Sequence, residues 1–158
     1  MTEENSADDL STGVTNAFKG FLPYLLLRIS NKLNLDLMDD LRRHKINIAR
    51  WRVLAVLNVD DGQNIGEIST AAMMEQSALS RTIMRMEEEG LVKRKLMKSD
   101  NRYVQVFLTK AGKSLFNELY PIVRRRHDLS IEGMSETEVA QLFNLLNRVF
   151  DNLESPGI

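Results

Sequence analysis

Apolar side chains recur at Phe18, Phe21, Leu22, Leu25, Leu26, Ile29 and Leu33, and the spacing continues loosely through Leu37, Met38 and Leu41. Steps of three and four residues put them on one face of a long amphipathic helix. Pro23 falls inside this pattern, so the regular helix either begins beside it or bends there. Asn47 is placed to cap a second helix with apolar positions Trp51, Leu54, Ala55 and Leu57, stopped by Asp61-Gly62. Asn64 with Glu67 forms a capping-box pattern and opens a third helix to about Ala72. A fourth begins near Glu75 and ends before Gly90, whose freedom at positive φ suits a helix C-terminus. The turn between these two is only about three residues long, as a helix-turn-helix requires.

After Gly90 the period changes. Leu91 to Met97 and Tyr103 to Leu108 read as paired strands, with Val104, Val106 and Leu108 alternating against Tyr103, Gln105 and Phe107. Lys98 to Arg102 would form the hairpin tip. Thr109 caps a fifth helix carrying Ala111, Leu115, Leu119, Ile122 and Val123. Ser135 and Glu138 make a second capping box ahead of a last helix with Val139, Leu142, Leu146, Val149 and Leu153. The expected fold class is mainly α with a small β-hairpin wing: a winged helix-turn-helix with N- and C-terminal helices. Nothing in the middle is large enough to cover the apolar faces of those end helices, whereas a second copy of the chain would be. The expected organisation is therefore a flexible acidic tail over 1–14, a helical dimerisation region from 15–46 and 110–158, and the winged module over 47–109.

Composition narrows the setting. The 158 residues are 43% hydrophobic, ordinary for a globular chain, and hold no Cys, which removes disulfides and thiolate metal sites. No run of about eighteen apolar residues exists, and the N-terminus opens on Glu3, Glu4, Asp8 and Asp9 rather than a basic leader. A cytoplasmic location without membrane partners is expected. The formal net charge of -1 looks wrong for a nucleic-acid binder, yet phosphate contacts act only over about 8 Å in physiological salt, so distribution decides. Between Ser77 and Lys110 eight Lys and Arg residues face four acids, leaving that segment four charges positive.

The fourth helix splits into two faces. Leu79, Ile83 and Met86 recur at helical spacing for packing, which leaves Gln76, Ser77, Ser80, Arg81 and Arg85 outward. The N-terminal part of the second helix of a helix-turn-helix meets base edges in the major groove. Gln suits adenine, Arg suits guanine, and Ser or the small Ala78 can approach an edge or a thymine methyl. Arg85, one turn on, suits phosphate equally well. At the wing tip Lys98, Asp100 and Arg102 combine cations with one carboxylate. Arg102 is long enough for a minor groove, and Asp100 can orient its guanidinium. The module over 47–109 is accordingly expected to bind double-stranded DNA.

The segments Ser77-Ala78-Leu79-Ser80-Arg81, Arg85-Met86-Glu87 with Gly90-Leu91-Val92, and Asp100-Asn101-Arg102 followed by Leu108-Thr109-Lys110-Ala111-Gly112 resemble the multiple-antibiotic-resistance regulator (MarR) family of bacterial transcription factors. The resemblance extends over nearly the whole chain in helix order and length. It implies a triangular homodimer that binds palindromic operators, usually represses, and often releases DNA when a small ligand enters between the dimer helices and the winged module. Glu75, Gln76 and Ala78 depart from the acid, Lys and β-branched residue common there, so operator sequence does not carry over. The absence of Cys excludes thiol oxidation as the switch.

Blander readings stand beside these. Lys93-Arg94-Lys95 serves equally as a solvated strand edge or as a phosphate contact. The eight Met residues, five of them in the winged module, read as core filler rather than a ligand box. Trp51 reads as core, or else as the wall of an effector pocket with Tyr24, Arg28, Asn31 and His44, where Arg28 would pair with an anionic aromatic or acyl ligand. His44 and His127 have neither acids at metal spacing nor a nucleophilic Ser beside them, and no Gly-rich phosphate loop exists, so no metal, no cofactor and no enzymatic activity are expected. The alternative to a regulator is a winged protein-interaction module or antirepressor without specific DNA binding.

Overall fold

The computed structural model describes residues 18, 20–97 and 100–154, except for the side chains of residues 97 and 100–103. Six helices are seen among them: α1 (Leu22–Arg42), α2 (Ile48–Val59), α3 (Ile65–Ala72), α4 (Gln76–Glu88), α5 (Lys110–Ser130) and α6 (Glu136–Glu154). Strands β1 (Gln63–Asn64), β2 (Val92–Met97) and β3 (Asp100–Leu108) form an antiparallel sheet in the order β1-β3-β2. The acidic tail expected over 1–14 lies outside the described residues. No helix of the described residues is long and apolar enough to cross a membrane.

The helix starts follow from the caps. Pro23 occupies the first turn of α1, where a missing N–H has no helical partner to lose, so the helix begins there rather than bending. The Asn47 side chain accepts the Arg50 N–H at 2.9 Å. Asn64 accepts from the Glu67 N–H at 3.0 Å while the Glu67 carboxylate accepts the Asn64 N–H at 2.8 Å. Ser135 and Glu138 repeat this exchange ahead of α6. Between α3 and α4 the chain reverses through Met73, held at φ 51°. A Met in the left-handed region carries strain on the order of 1 kcal/mol, offset here by hydrogen bonds that fasten the turn. The Met74 N–H donates to the Ser69 carbonyl at 3.0 Å, and the Ser69 hydroxyl donates to the Met74 carbonyl at 2.6 Å.

Two features of the sheet differ from the sequence reading. β1 was not expected; it is too short to show alternation, and it pairs Gln63 with Val106 and Asn64 with Gln105. The hairpin also closes sooner than a tip over Lys98–Arg102 would. Pairing runs from Val92 opposite Leu108 to Leu96 opposite Val104, then jumps to Met97 opposite Asp100. Residues 101–103 have no opposite number, and this bulge absorbs the extra chain so that pairing resumes at Asp100.

One core joins the helices to the sheet. Val53, Leu54 and Leu57 of α2, Ile68 of α3, Leu79, Ile83 and Met86 of α4, and Val92, Val106 and Leu108 of the strands are buried together. Leu41 and Ile46 enter this core from one side, Phe116 and Leu119 from the other. Burial on this scale contributes roughly 1.5–3 kcal/mol for each large aliphatic side chain. The methionines divide: Met86 is fully buried, but Met73 is 77% exposed and Met84 45% exposed, so only part of the group fills the core. In contrast α6 buries nothing, and Phe143, Leu145, Leu146, Phe150 and Leu153 stay exposed, as do Leu22, Leu25, Ile29 and Leu33 of α1.

The wing base and α5 meet at Leu91. Its carbonyl accepts the Thr109 N–H at 3.0 Å, and the Thr109 hydroxyl donates to the Gly90 carbonyl at 2.6 Å and accepts the Gly112 N–H at 3.1 Å. A Cβ on Gly112 would lie 2.1 Å from the Leu91 carbonyl oxygen. Farther along α5, the Arg126 guanidinium donates to Asp40 of α1 at 2.6 Å. That hydrogen bond, more than the nearby charges of Arg126, Arg43 and Arg125, holds the Asp40 carboxyl below its ordinary value of 3.8 against the opposing effect of burial.

Gly112→Ala is expected to destabilise the fold by about 2 kcal/mol or more, because neither backbone can give way cheaply; chemical denaturation measures it. A depressed folded pKa makes the Asp40 contribution complete above pH 3.8 and lost as pH falls through the folded value. Asp40→Asn should therefore lower the melting temperature near neutral pH, with the difference from wild type closing as melts are taken progressively below pH 3.8.

Candidate nucleic-acid interface

α4 is set by its buried edge. Leu79, Ile83 and Met86 face the core, so the opposite side of the helix is turned to solvent. On it Gln76, Ser77, Ser80, Arg81 and Arg85 are exposed, and Ala78 is half-buried. These are the residues that the two-face reading of the sequence separated. Gln76 stands at the first position of α4, next to the start of α3: its amide nitrogen is 3.8 Å from where a Cβ on Gly66 would be. The Thr82 hydroxyl is turned back onto the Ala78 carbonyl at 2.9 Å and is not offered outward.

Behind Arg81 and Arg85 lies a groove of about 280 Å³, walled on its far side by Asn47, Arg50 and Glu89. Arg50 was not singled out in the sequence, since its partner is distant along the chain. Its guanidinium forms an ion pair with Glu89 and donates to the Lys45 carbonyl at 3.3 Å. The junction of α1 and α2 is thereby tied to the end of α4.

A second ion pair ties the wing to the same helix. Arg94 donates through Nε to Glu87 at 2.6 Å and through its backbone N–H at 2.8 Å. The side-chain bond, then the backbone bond, lowers the Glu87 pKa below its ordinary 4.5. Of the three basic residues 93–95, Arg94 is thus neither a free strand edge nor a free phosphate contact. Lys95 instead lies over the Phe107 ring at 5.1 Å. Two of the three acids that end α4 are consumed by internal arginines, and Arg81 and Arg85 have no ion-pair partner among the described residues.

The wing candidates Lys98, Asp100 and Arg102 have side chains outside those described; the backbone of Asp100 and Arg102 belongs to β3, with Arg102 in its bulge. The five effector candidates are only partly gathered. Tyr24 and Arg28 form a cation-π pair at 5.8 Å, and Asn31 is exposed on the same helix. Trp51 is buried and stacked on Phe116 with ring centres 5.3 Å apart, the core alternative for that residue. His44 pairs with Glu118 at 2.8 Å and lines a separate cleft with Arg125 and Arg126. Among the described residues no group of three His, Asp or Glu side chains is placed to hold a metal ion.

This arrangement is shared with known regulators. The MarR family model matches residues 46–104, from the end of the first connection into the wing. The HTH-type transcriptional repressor IacR of Pseudomonas putida is 32% identical over 132 residues, covering 84% of this chain and 79% of that protein. A MarR-family transcriptional regulator from Silicibacter pomeroyi superposes with a TM-score of 0.79 at 32% identity, over 89% of this chain and 95% of its own. A mutant MarR from E. coli, crystallised in complex with operator DNA, gives a TM-score of 0.75 at 25% identity, over 85% and 96% of the two chains. With its exposed α4 face, its wing and a relative of this identity spanning most of both chains, the chain belongs to the MarR family of transcriptional regulators.

Proposed function

We propose that the chain is a homodimeric repressor whose two α4 helices enter successive major grooves of a palindromic operator. The observation that carries this reading is the outward face of α4, where Gln76, Ser77, Ser80 and Arg81 stand exposed at its N-terminal end with Ala78 beside them. Gln76 and Arg81 then read base edges, Ser77, Ala78 and Ser80 allow close approach, and Arg85 meets the backbone. Lys98 adds a phosphate contact, and Arg102, oriented by Asp100, enters the flanking minor groove. The operator complex of the E. coli relative supports the duplex as partner, and the repressor named in Pseudomonas putida supports the sign of control.

Dimerisation uses the regions 15–46 and 110–158. Phe21 at the start of α1, Leu25 and Ile29 of α1, and Phe143, Leu146 and Phe150 of α6 are exposed at 37–56%, more apolar surface than single subunits usually leave open. Two-fold pairing of these helices fixes the separation of the two α4 faces and so demands half-sites about 10 bp apart. A small anionic ligand that favours a different separation lowers operator affinity, and going from mostly bound to mostly free takes about 5.5 kcal/mol of differential binding.

Operator selection followed by gel shift over a salt series tests the DNA reading. Binding should weaken with a log-log slope near -0.9 per neutralised phosphate. Arg81→Ala should cost about 1–3 kcal/mol and relax preference at one base position in each half-site, and Arg102→Ala should weaken binding with the dimer intact. No enriched sequence after selection would favour a protein-docking module instead. In sedimentation, Phe150→Asp should shift the protein towards monomer and lower operator affinity with it; an unchanged dimer would place the interface elsewhere.

A further inference from the structure

The contacts that join α4 to the wing thin out towards the wing tip. At the base the Leu91 N–H donates to the Met86 carbonyl at 2.8 Å, and Val92 is buried in the same core as Met86. Two residues on, Arg94 stands on β2, an edge strand of the sheet, opposite Val106. Its N–H is turned away from β3, the kind of donor that an edge strand leaves unmatched. Glu87 of α4 meets it. One carboxylate oxygen accepts that N–H at 2.8 Å, and the other accepts Nε and Nη2 of the same arginine, each at 2.6 Å. Past Arg94 no hydrogen bond or ion pair ties the hairpin to α4 among the described residues, and Leu96 is 64% exposed.

We infer that Glu87 is a positioning residue for the wing. By holding both the backbone and the guanidinium of Arg94 it fixes the angle between hairpin and α4, and with it the register of the minor-groove contact against the major-groove face. Only that last step rests on the DNA reading proposed above; the angle itself does not. α4 is rooted in the core through Leu79, Ile83 and Met86, so releasing the contact swings the wing and leaves the helix in place. Strands rise about 3.3 Å per residue, which puts Met97 about 10 Å past Arg94, so a swing of about 10° moves the tip by about 2 Å. N–H···O hydrogen bonds tolerate a spread of only about 0.5 Å, too little to keep a groove contact through such a shift. Charge and position act in opposite directions here. A carboxylate repels phosphate, so if Glu87 acted on the duplex by its charge, removing it would tighten operator binding; acting through the wing, its removal weakens binding.

Glu87→Ala removes both acceptors and keeps a good helix former in α4, and two measurements read the result. In the free full-length protein, residual dipolar couplings of backbone amides should show β2 and β3 reoriented relative to α4, with α2, α3 and α4 unchanged among themselves. On a selected operator, binding should weaken about tenfold, with hydroxyl-radical protection lost at the outer minor grooves and kept beneath α4. In an Arg102→Ala background Glu87→Ala should cost nothing further, because the contact it positions is already gone, whereas a merely structural role costs the same in both backgrounds. Unchanged couplings, unchanged or tighter operator binding, or equal losses with and without Arg102 overturn the assignment. Should the wild-type protein select no operator, the DNA reading falls and the couplings alone decide: their shift upholds Glu87 as the residue that sets the wing angle, and its absence overturns it.

Discussion

The contact of Thr109 and Gly112 with the carbonyls of Gly90 and Leu91 is the constraint on which the rest of the structure turns. Gly90 and Leu91 lead from α4 into the wing, while Thr109 to Gly112 lead from the wing into α5. Fastening the two segments closes the hairpin at its base and sets the direction in which α5 leaves the module. Both ends of this contact lie in the segments that carried the family resemblance, although they are far apart in the chain. Thr109 does two things with one side chain, since its hydroxyl both donates to the Gly90 carbonyl and caps α5. The glycine is needed for its small size: no side chain fits between α5 and the Leu91 carbonyl.

Electrostatics around α4 follow a similar economy. The chain carries one net negative charge, and three consecutive acids stand at the end of α4, an unpromising arrangement for the DNA contact proposed above. Glu87 and Glu89 are drawn to Arg94 and Arg50. These half-exposed pairs contribute little stability, on the order of 1 kcal/mol or less, but they choose which cations stay available. Arg94 is spent on holding the wing against α4, and Arg81 and Arg85 remain unpaired among the described residues. The exposed face of α4 thus keeps its free arginines because internal arginines occupy two of the neighbouring acids.

Much of the fold was legible because it rests on local chemistry. Asn47, Asn64, Thr109 and Ser135 each sit directly before a helix start, and the alternation of Val104, Val106 and Leu108 marks β3. The outward face of α4 was legible for the same reason, as three buried positions at helical spacing define its opposite. What the sequence hid is non-local or against propensity. β1 exists only because β3 offers an edge to it, and the bulge at 101–103 is a matter of register between two strands. Met73 in the left-handed region has no sequence signature, since Gly or Asn would be the ordinary occupant. Arg50 with Glu89 and His44 with Glu118 join residues 39 and 74 positions apart, which no spacing rule reaches. Trp51 was left between core and pocket wall; its stacking on Phe116 is again a long-range contact.

How the module is joined to its end helices limits how a signal can cross the molecule. Leu41 and Ile46 before α2, and Phe116 and Leu119 in α5, belong to the same core as Leu54 and Ile83. A hinge at the chain boundaries near residues 46 and 109 would have to open that core, at the cost of several large side chains at about 1.5–3 kcal/mol each. Bending is cheaper beyond it. Pro121 stands two residues after Leu119, the last fully buried position of α5, and lacks the N–H that would continue the helical ladder. Past that point Ile122 and Val123 still pack partly buried against the core, and farther on α5 is held to α1 by Arg126 with Asp40 and Asp36, polar contacts that water can replace. The molecule is therefore stiff from α4 to Ile122 and Val123 of α5 and more readily re-angled beyond them, where Arg126 meets Asp40 and Asp36.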